Sequence, residues 1–205
     1  IQVYGGKDTR AIRVYWMLEE LEIPYECNPI NFGEGEHRSP EFLAINPAGK
    51  VPALQDGEVV LFESAAILTY LAEKYEDKNL IPAKGTPERG LFFQWMFYSM
   101  AELEQPLWTD AKHKFALPKN LRVPAIREVT PFEWKRATKV VAQSLEGKEF
   151  LVGDRFTAAD IMIGQTLLWG QMTKFEHDKP ILDEYVERLK NREALKKARA
   201  DCIYK

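Results

Sequence analysis

Two patterns of apolar and polar positions divide this chain. Up to about residue 77, short β-branched and aromatic runs alternate with segments of helical period. Residues 1–4 read as a brief strand. Asp8 or Thr9 then caps a helix running to about Leu21, with Arg10, Arg13 and Glu20 on one face and Ile12, Tyr15 and Trp16 on the other. Pro24 stops that helix, and residues 25–30 predict a second strand. A polar loop over 31–38 leads into a short helix over 39–45, closed by Asn46-Pro47-Ala48-Gly49. Strands over 51–55 and 59–62 flank Asp56-Gly57, a strong hairpin signal. A helix over 64–75 completes the unit. The order βαβαββα predicts an α/β layer on a mixed sheet.

Beyond Glu76 the grammar changes. Residues 76–87 are rich in Asp, Lys, Pro and Gly, so a linker over 78–86 is expected between an N-terminal domain (1–77) and an all-helical C-terminal domain (87–205). Helical period returns over 88–115, 132–145, 157–170 and 180–200, with no strand pair. Pro106 predicts a kink in the first of these. Within Phe156-Thr157-Ala158-Ala159-Asp160-Ile161, Thr157 and Asp160 form a capping box, and Phe156 and Ile161 a hydrophobic staple. That signal concerns folding rather than chemistry.

Composition narrows the classes of function. At 205 residues and 45% hydrophobic, the chain can bury a core without staples. A net charge of −3 argues against a nucleic-acid binder, and the basic stretch 190–199 reads as a solvated helix face. No apolar run reaches the ~18 residues of a membrane span, and the first residues carry no signal-peptide pattern. Cys27 and Cys202 suit a reducing compartment and build neither a disulfide scaffold nor a zinc site; burial is the expected fate of Cys27. The three histidines, His37, His113 and His177, lie too far apart to suggest a metal site. A cytoplasmic protein without a metal is expected.

Two segments carry chemistry. In Asn46 to Leu54, Val51-Pro52 opens a strand, where a proline removes a ladder donor. A cis peptide at the sheet edge would leave the Val51 N–H and C=O unpaired, so that an extended peptide could add there as a short strand. In Phe62-Glu63-Ser64-Ala65-Ala66-Ile67, a strand runs straight into a helix. Ser64 offers a hydroxyl and an N–H at a helix N-terminus, which seat a carboxylate. Glu63 beside it can pair an ammonium. Together they read as a clamp for the zwitterionic head of an α-amino acid.

These two segments, with Arg10-Ala11-Ile12-Arg13-Val14 and Leu18-Glu19-Glu20-Leu21 before them and the helical half after them, resemble the glutathione S-transferase family over nearly the whole chain. The resemblance implies a thioredoxin-like N-terminal domain, a detoxifying transferase activity and a homodimer. It implies that Val51, at the Pro52 loop, holds the cysteinyl backbone of glutathione, and that Glu63 and Ser64 hold its γ-glutamyl end. Gly35-Glu36-His37-Arg38-Ser39-Pro40 looks like the plant phi-type and related bacterial members, in which the residues matching His37 and Lys50 reach the glycyl carboxylate.

Serine-type members place their catalytic serine where this chain has Thr9. Lowering a thiol pKa of about 8.5 by two units takes about 2.7 kcal/mol. A helix N-terminus supplies about 0.3–1 kcal/mol and one hydrogen bond to a charged group about 1.5–3 kcal/mol. A donor near the sulfur is therefore required, and Thr9 is the expected one. Tyr4 is the rival, since tyrosine-type members donate from the end of the first strand; otherwise it is a packed aromatic. Tyr98, Trp108, His113 and Phe115 are candidates to line the site of a small apolar electrophile, with core packing as the plainer reading. Alternatives to conjugation are a non-catalytic assembly or carrier module, or glutathione-dependent peroxide reduction, dehalogenation or isomerisation.

Overall fold

The computed structural model describes residues 1–201. By compactness the chain divides into Ile1–Ile81 together with the C-terminal stretch from Lys190, and Pro82–Leu189. In the first unit, strand β1 (Gln2–Tyr4) lies between β2 (Glu26–Asn28) and β3 (Ala53–Asp56), and β4 (Val59–Phe62) closes the order β2-β1-β3-β4. β1 is parallel to β2, with Val3 opposite Cys27, and antiparallel to β3, with Val3 opposite Leu54. β3 and β4 form the hairpin expected at Asp56-Gly57, where Gly57 takes φ 61°, a conformation that glycine adopts at no steric cost. The sheet is therefore mixed.

Helix α1 (Ile12–Leu21) packs against α3 (Ser64–Lys74) and α9 (Glu193–Asp201). Two helical neighbours leave it little solvent face, and Ile12 through Leu18 are all buried. Arg13, placed by helical period on a polar face, is fully buried. The sequence reading left α9 with the helical half, so it gave α1 an open side. The polar residues that remain on α1 are paired: Glu20 takes a bidentate contact from Arg192 at 2.6 and 2.7 Å, and Glu19 accepts from the Tyr25 hydroxyl at 2.7 Å. The short α2 (Pro40–Ile45) is capped by Ser39, whose Oγ accepts from the Phe42 N–H at 3.2 Å. Cys27 is half-buried rather than enclosed and is not a free thiol; Cys202 lies outside the described residues.

The second unit is helical. α4 (Pro87–Tyr98) continues through a π-helical stretch, Ser99–Leu103, into α5 (Glu104–Ala111) and a second π stretch, Lys112–Ala116. The expected disturbance at Pro106 takes this form: proline has no N–H and crowds the carbonyl four residues back, and a widened turn just before it accommodates both. Arg122 then reaches back to the carbonyls of Lys114, Phe115 and Leu117, satisfying acceptors left open at the helix end. Short 3₁₀ turns at Lys119–Leu121 and Pro124–Glu128 lead to α6 (Thr130–Ser144), α7 (Ala158–Met172) and α8 (Pro180–Lys190). Asp160, fully buried, accepts from the N–H of Leu151 (3.0 Å), the N–H and hydroxyl of Thr157 (2.8 and 3.1 Å) and the Tyr185 hydroxyl (2.8 Å). Burial pushes its carboxyl up, while these four bonds pull it down. The stretch read as a polar linker also holds buried Leu80 and Ile81.

Candidate functional site

Three segments of the first unit meet around the exit of β1. Gly5 sits at φ +121°, and a Cβ there would lie 2.7 Å from the Val51 Cβ and 2.9 Å from the Ala11 Cβ. Only a residue without a side chain lets the Val51 loop and the turn that opens α1 approach β1 this closely. The Tyr15 hydroxyl, donating to the Gly5 carbonyl at 2.6 Å, pins the same point from α1.

The Val51-Pro52 peptide is cis, and the ladder begins at Ala53. Val51 stands outside it, and among the described residues its N–H and C=O take part in no hydrogen bond. Its side chain packs with Ile30, Phe42 and Tyr4. The preceding turn is held by Asn46, a residue that the sequence reading treated only as a helix stop. Asn46 is buried; its Nδ2 donates to the Lys50 carbonyl at 2.6 Å and its Oδ1 accepts from the Ala48 N–H at 3.0 Å. The Lys50 side chain is exposed, and Pro52 is buried.

Ser64 opens α3 and is 2% exposed; Glu63 before it is exposed and held at φ 71°. Left-handed φ is uncommon for a residue with a Cβ, and such positions concentrate at functional sites. Ser64 Oγ accepts from Arg13 Nη1 at 3.1 Å. At the other end of α3, Asp56 accepts from the Tyr70 hydroxyl at 2.9 Å and pairs with Lys74. The ammonium holds the Asp56 carboxyl below its usual range. That contact ties α3 to the β3–β4 hairpin and so fixes where Ser64 stands.

Thr9 lies in the turn before α1, which begins at Ile12 rather than at residue 8 or 9. Its hydroxyl donates to the Gly6 carbonyl at 2.6 Å and accepts from the Ala11 N–H at 3.1 Å. The Tyr4 hydroxyl donates to Gln2 Oε1 at 2.8 Å and reaches Gln55 Oε1 at 3.3 Å, and its ring lies 6.2 Å from that of Phe42. His37 is half-buried against Phe32, with its Nδ1 unpartnered; its carbonyl lies 2.9 Å from where a Gly49 Cβ would stand, so its loop packs on the Val51 turn. Among the described residues no cluster of His, Cys, Asp or Glu could hold a metal ion.

The family model described as "Glutathione S-transferase, N-terminal domain" matches residues 1–73, and "Glutathione S-transferase, C-terminal domain" matches 133–193. "Glutathione S-transferase 1" of Schizosaccharomyces pombe is 33% identical over 86% of this chain and 78% of its own length. The chain belongs to the glutathione S-transferase family. Among its relatives, "Disulfide-bond oxidoreductase YfcG" of Escherichia coli is 33% identical over 78% of this chain and 76% of its own. The solved glutathione transferase URE2P6 of Phanerochaete chrysosporium, in complex with oxidized glutathione, aligns with a TM-score of 0.85 at 29% identity, covering 98% of this chain and 97% of that one.

In this glutathione S-transferase family member, Gly5, Arg13 and Asn46 shape the candidate site through contacts that the sequence alone does not show. Gly5 carries a signal of its own, a glycine directly after a strand. Asn46 stood inside the very turn that was read. Arg13 carried a contrary signal, since a cation at helical spacing from Arg10 and Glu20 reads as surface. Of the aromatic candidates, Tyr98 donates to the Ala137 carbonyl at 3.1 Å and is pushed up to about 12 by burial. His113 Nδ1 accepts from the Val123 N–H at 3.0 Å, Trp108 is half-buried, and Phe115 is exposed.

Proposed function

We propose that this protein binds glutathione on its N-terminal domain (1–77), activates it as the thiolate and transfers it to small apolar electrophiles. The observation that carries this reading is the Val51 backbone, left outside the sheet ladder beside Gly5, in the same unit as the Glu63-Ser64 entrance of α3. Val51 N–H and C=O add the cysteinyl part as an extra strand segment, at the loop that Pro52 shapes. Ser64, with the amides of the α3 N-terminus, receives the γ-glutamyl carboxylate, and Glu63 its ammonium. His37 and Lys50 meet the glycyl carboxylate. Thr9 donates to the sulfur. The thiolate is the nucleophile, so the residues act by lowering its pKa and by positioning it. The enzyme works as a cytoplasmic homodimer, with 87–205 as the helical domain.

The test is calorimetric titration with glutathione, together with thiolate absorbance across pH on the same samples. Saturable binding with a thiol pKa well below about 8.5 is the expected result. No binding would overturn the reading.

A second reading is favoured by one contact: the single proton of the Thr9 hydroxyl is donated to Gly6 at 2.6 Å, which leaves it to be redirected before it can serve a sulfur. On that reading glutathione reduces disulfides. One glutathione thiolate attacks a disulfide sulfur and expels the other sulfur as a thiolate. A second glutathione thiolate attacks the glutathione sulfur of the mixed disulfide and expels the remaining substrate thiolate, leaving oxidised glutathione. The two expelled thiolates take the protons that the two glutathione thiols gave up. Binding with an unshifted thiol pKa, and turnover of a disulfide substrate but not of an electrophile, would favour it.

A further inference from the structure

The loop over 31–38 carries one apolar side chain, Phe32, and closes on itself around it. The Asn31 N–H donates to Glu36 Oε2 at 2.7 Å, and the Glu36 N–H returns to the Asn31 carbonyl at 3.1 Å. Asn31 Oδ1 accepts from the N–H groups of Gly33 and Glu34 at 3.0 and 3.3 Å, and the Gly35 N–H donates to the Phe32 carbonyl at 3.2 Å. Phe32 and His37, the residues next to this clasp, are thereby set against each other, with ring centroids 4.9 Å apart and planes tilted by 37°. The two nitrogens of the imidazole differ. Nδ1 is enclosed and has no partner, whereas Nε2 is neither enclosed nor bonded among the described residues, so Nε2 is the one a ligand can reach. The terminal torsion of a histidine is broad and roughly two-fold, and a half-turn puts a ring carbon where each nitrogen stood. Phe32 on one face obstructs that turn, because the imidazole would have to sweep through it. The His37 carbonyl lies 2.9 Å from where a Gly49 Cβ would stand, which anchors the residue beside the turn that carries Lys50 and Val51.

We propose that Phe32 is a positioning residue for glutathione: packed on His37, it holds Nε2 where the glycyl carboxylate arrives. This rests on the assignment of His37 to that carboxylate. The Phe32 side chain has no hydrogen-bonding group, so its effect passes through the histidine and disappears when the histidine is removed. A donor already in place loses little rotamer freedom on binding, which for one side chain is a gain of about 3- to 10-fold in affinity.

A double-mutant cycle on the full-length protein, read by calorimetric titration, tests this. Phe32 is 45% exposed, so Phe32→Ala opens no enclosed cavity. Its glutathione affinity should fall about 3- to 10-fold. His37→Ala, which removes the hydrogen bond to the carboxylate, should lower the affinity about 10- to 100-fold. In that His37→Ala background, Phe32→Ala should lower it by no more than about twofold further. Phe32→Tyr, which keeps a ring against the imidazole, should stay within about twofold of wild type. Binding of γ-glutamylcysteine, which lacks the glycine, should be the same in wild type and Phe32→Ala. Equal losses in both backgrounds, or an equal loss for γ-glutamylcysteine, would show a merely structural phenylalanine and overturn the proposal. A loss in His37→Ala with none in Phe32→Ala would overturn the proposal and leave the glycyl assignment standing. Unchanged affinity in His37→Ala would overturn that assignment, and the role of Phe32 with it. If Phe32→Ala does not fold, as judged by circular dichroism, Phe32→Gln takes its place in the same cycle.

Discussion

At position 9 one hydroxyl proton faces two demands. The Gly6 carbonyl holds it at 2.6 Å, and a thiolate at the α1 turn would compete for it. A charged acceptor forms the stronger bond, so on the proposed assignment of Thr9 the proton would turn towards the sulfur only with the thiolate present. Threonine makes that rotation harder than serine does, because a β-branch stiffens χ1. Thr9→Ala should therefore lower kcat about 10- to 100-fold while the glutathione affinity stays within about threefold; Thr9→Ser should keep kcat at or above the wild-type value. Steady-state kinetics beside calorimetry separate the two effects, and an unchanged kcat in Thr9→Ala would move the assignment to Tyr4. Gly5 supports the same place by having no side chain. With φ at +121° and two Cβ atoms within 3 Å of the position a methyl would take, Gly5→Ala is expected to destabilise the fold by about 2–4 kcal/mol, read from chemical unfolding.

At the level of elements, the burial of Asp160 sets a test of the α7 start. Its two oxygens take four donors, and an amide in place of the carboxylate can accept on only one side. Asp160→Asn should cost about 2–5 kcal/mol of stability in denaturant unfolding. Tyr98 gives a pH-dependent test in the same unit. Its hydroxyl, held at Ala137, loses its proton only near about 12 in the folded protein, above the usual value of 10.0. Between those values the unfolded chain has released the proton and the folded chain retains it, so the native state binds more protons and stability falls as pH rises through that window. Tyr98→Phe should flatten that alkaline slope in melts recorded across pH. The Thr157-Asp160 start, the hairpin turn at Asp56-Gly57 and the mixed sheet were all legible in local sequence, because each is written in residues within a few positions of one another. What local pattern could not give was the company each element keeps. Arg13 reads as surface until α9 and α3 are known to cover α1, and a polar stretch containing Leu80 and Ile81 reads as linker until both prove buried. In the candidate site, the cis Val51-Pro52 peptide and the α3 start at Ser64 are local structure legible from residue type and spacing. Gly5, Arg13 and Asn46 act through tertiary contacts that spacing does not encode.

On the scale of the molecule, the first compact unit is made from both ends of the chain. Leu195 and Ala198, fully or almost fully buried on α9, belong to it, and α9 packs on the same helix, α1, that carries Arg13 towards Ser64. The last helix is thus part of the structure that holds the proposed glutathione site, although more than a hundred residues separate it from Ser64 in sequence. A ligand that binds only the folded state stabilises what it binds by RT ln(1 + [L]/Kd), about 2.7 kcal/mol at a hundredfold excess over Kd. Glutathione therefore labels the unfolding of this unit: whichever thermal transition it shifts upward belongs to residues 1–81 and the C-terminal stretch. Leu195→Ala, which leaves a cavity between α9 and its partners, should lower that same transition, with a cost of about 2–5 kcal/mol. Calorimetric melts of wild type and variant, each with and without glutathione, decide the matter. If the unit unfolds as one, the variant's loss and the ligand's gain fall on one transition and offset each other. A Leu195→Ala melt in which glutathione raises one transition while the mutation lowers another would mean that α9 is not needed to hold the site together.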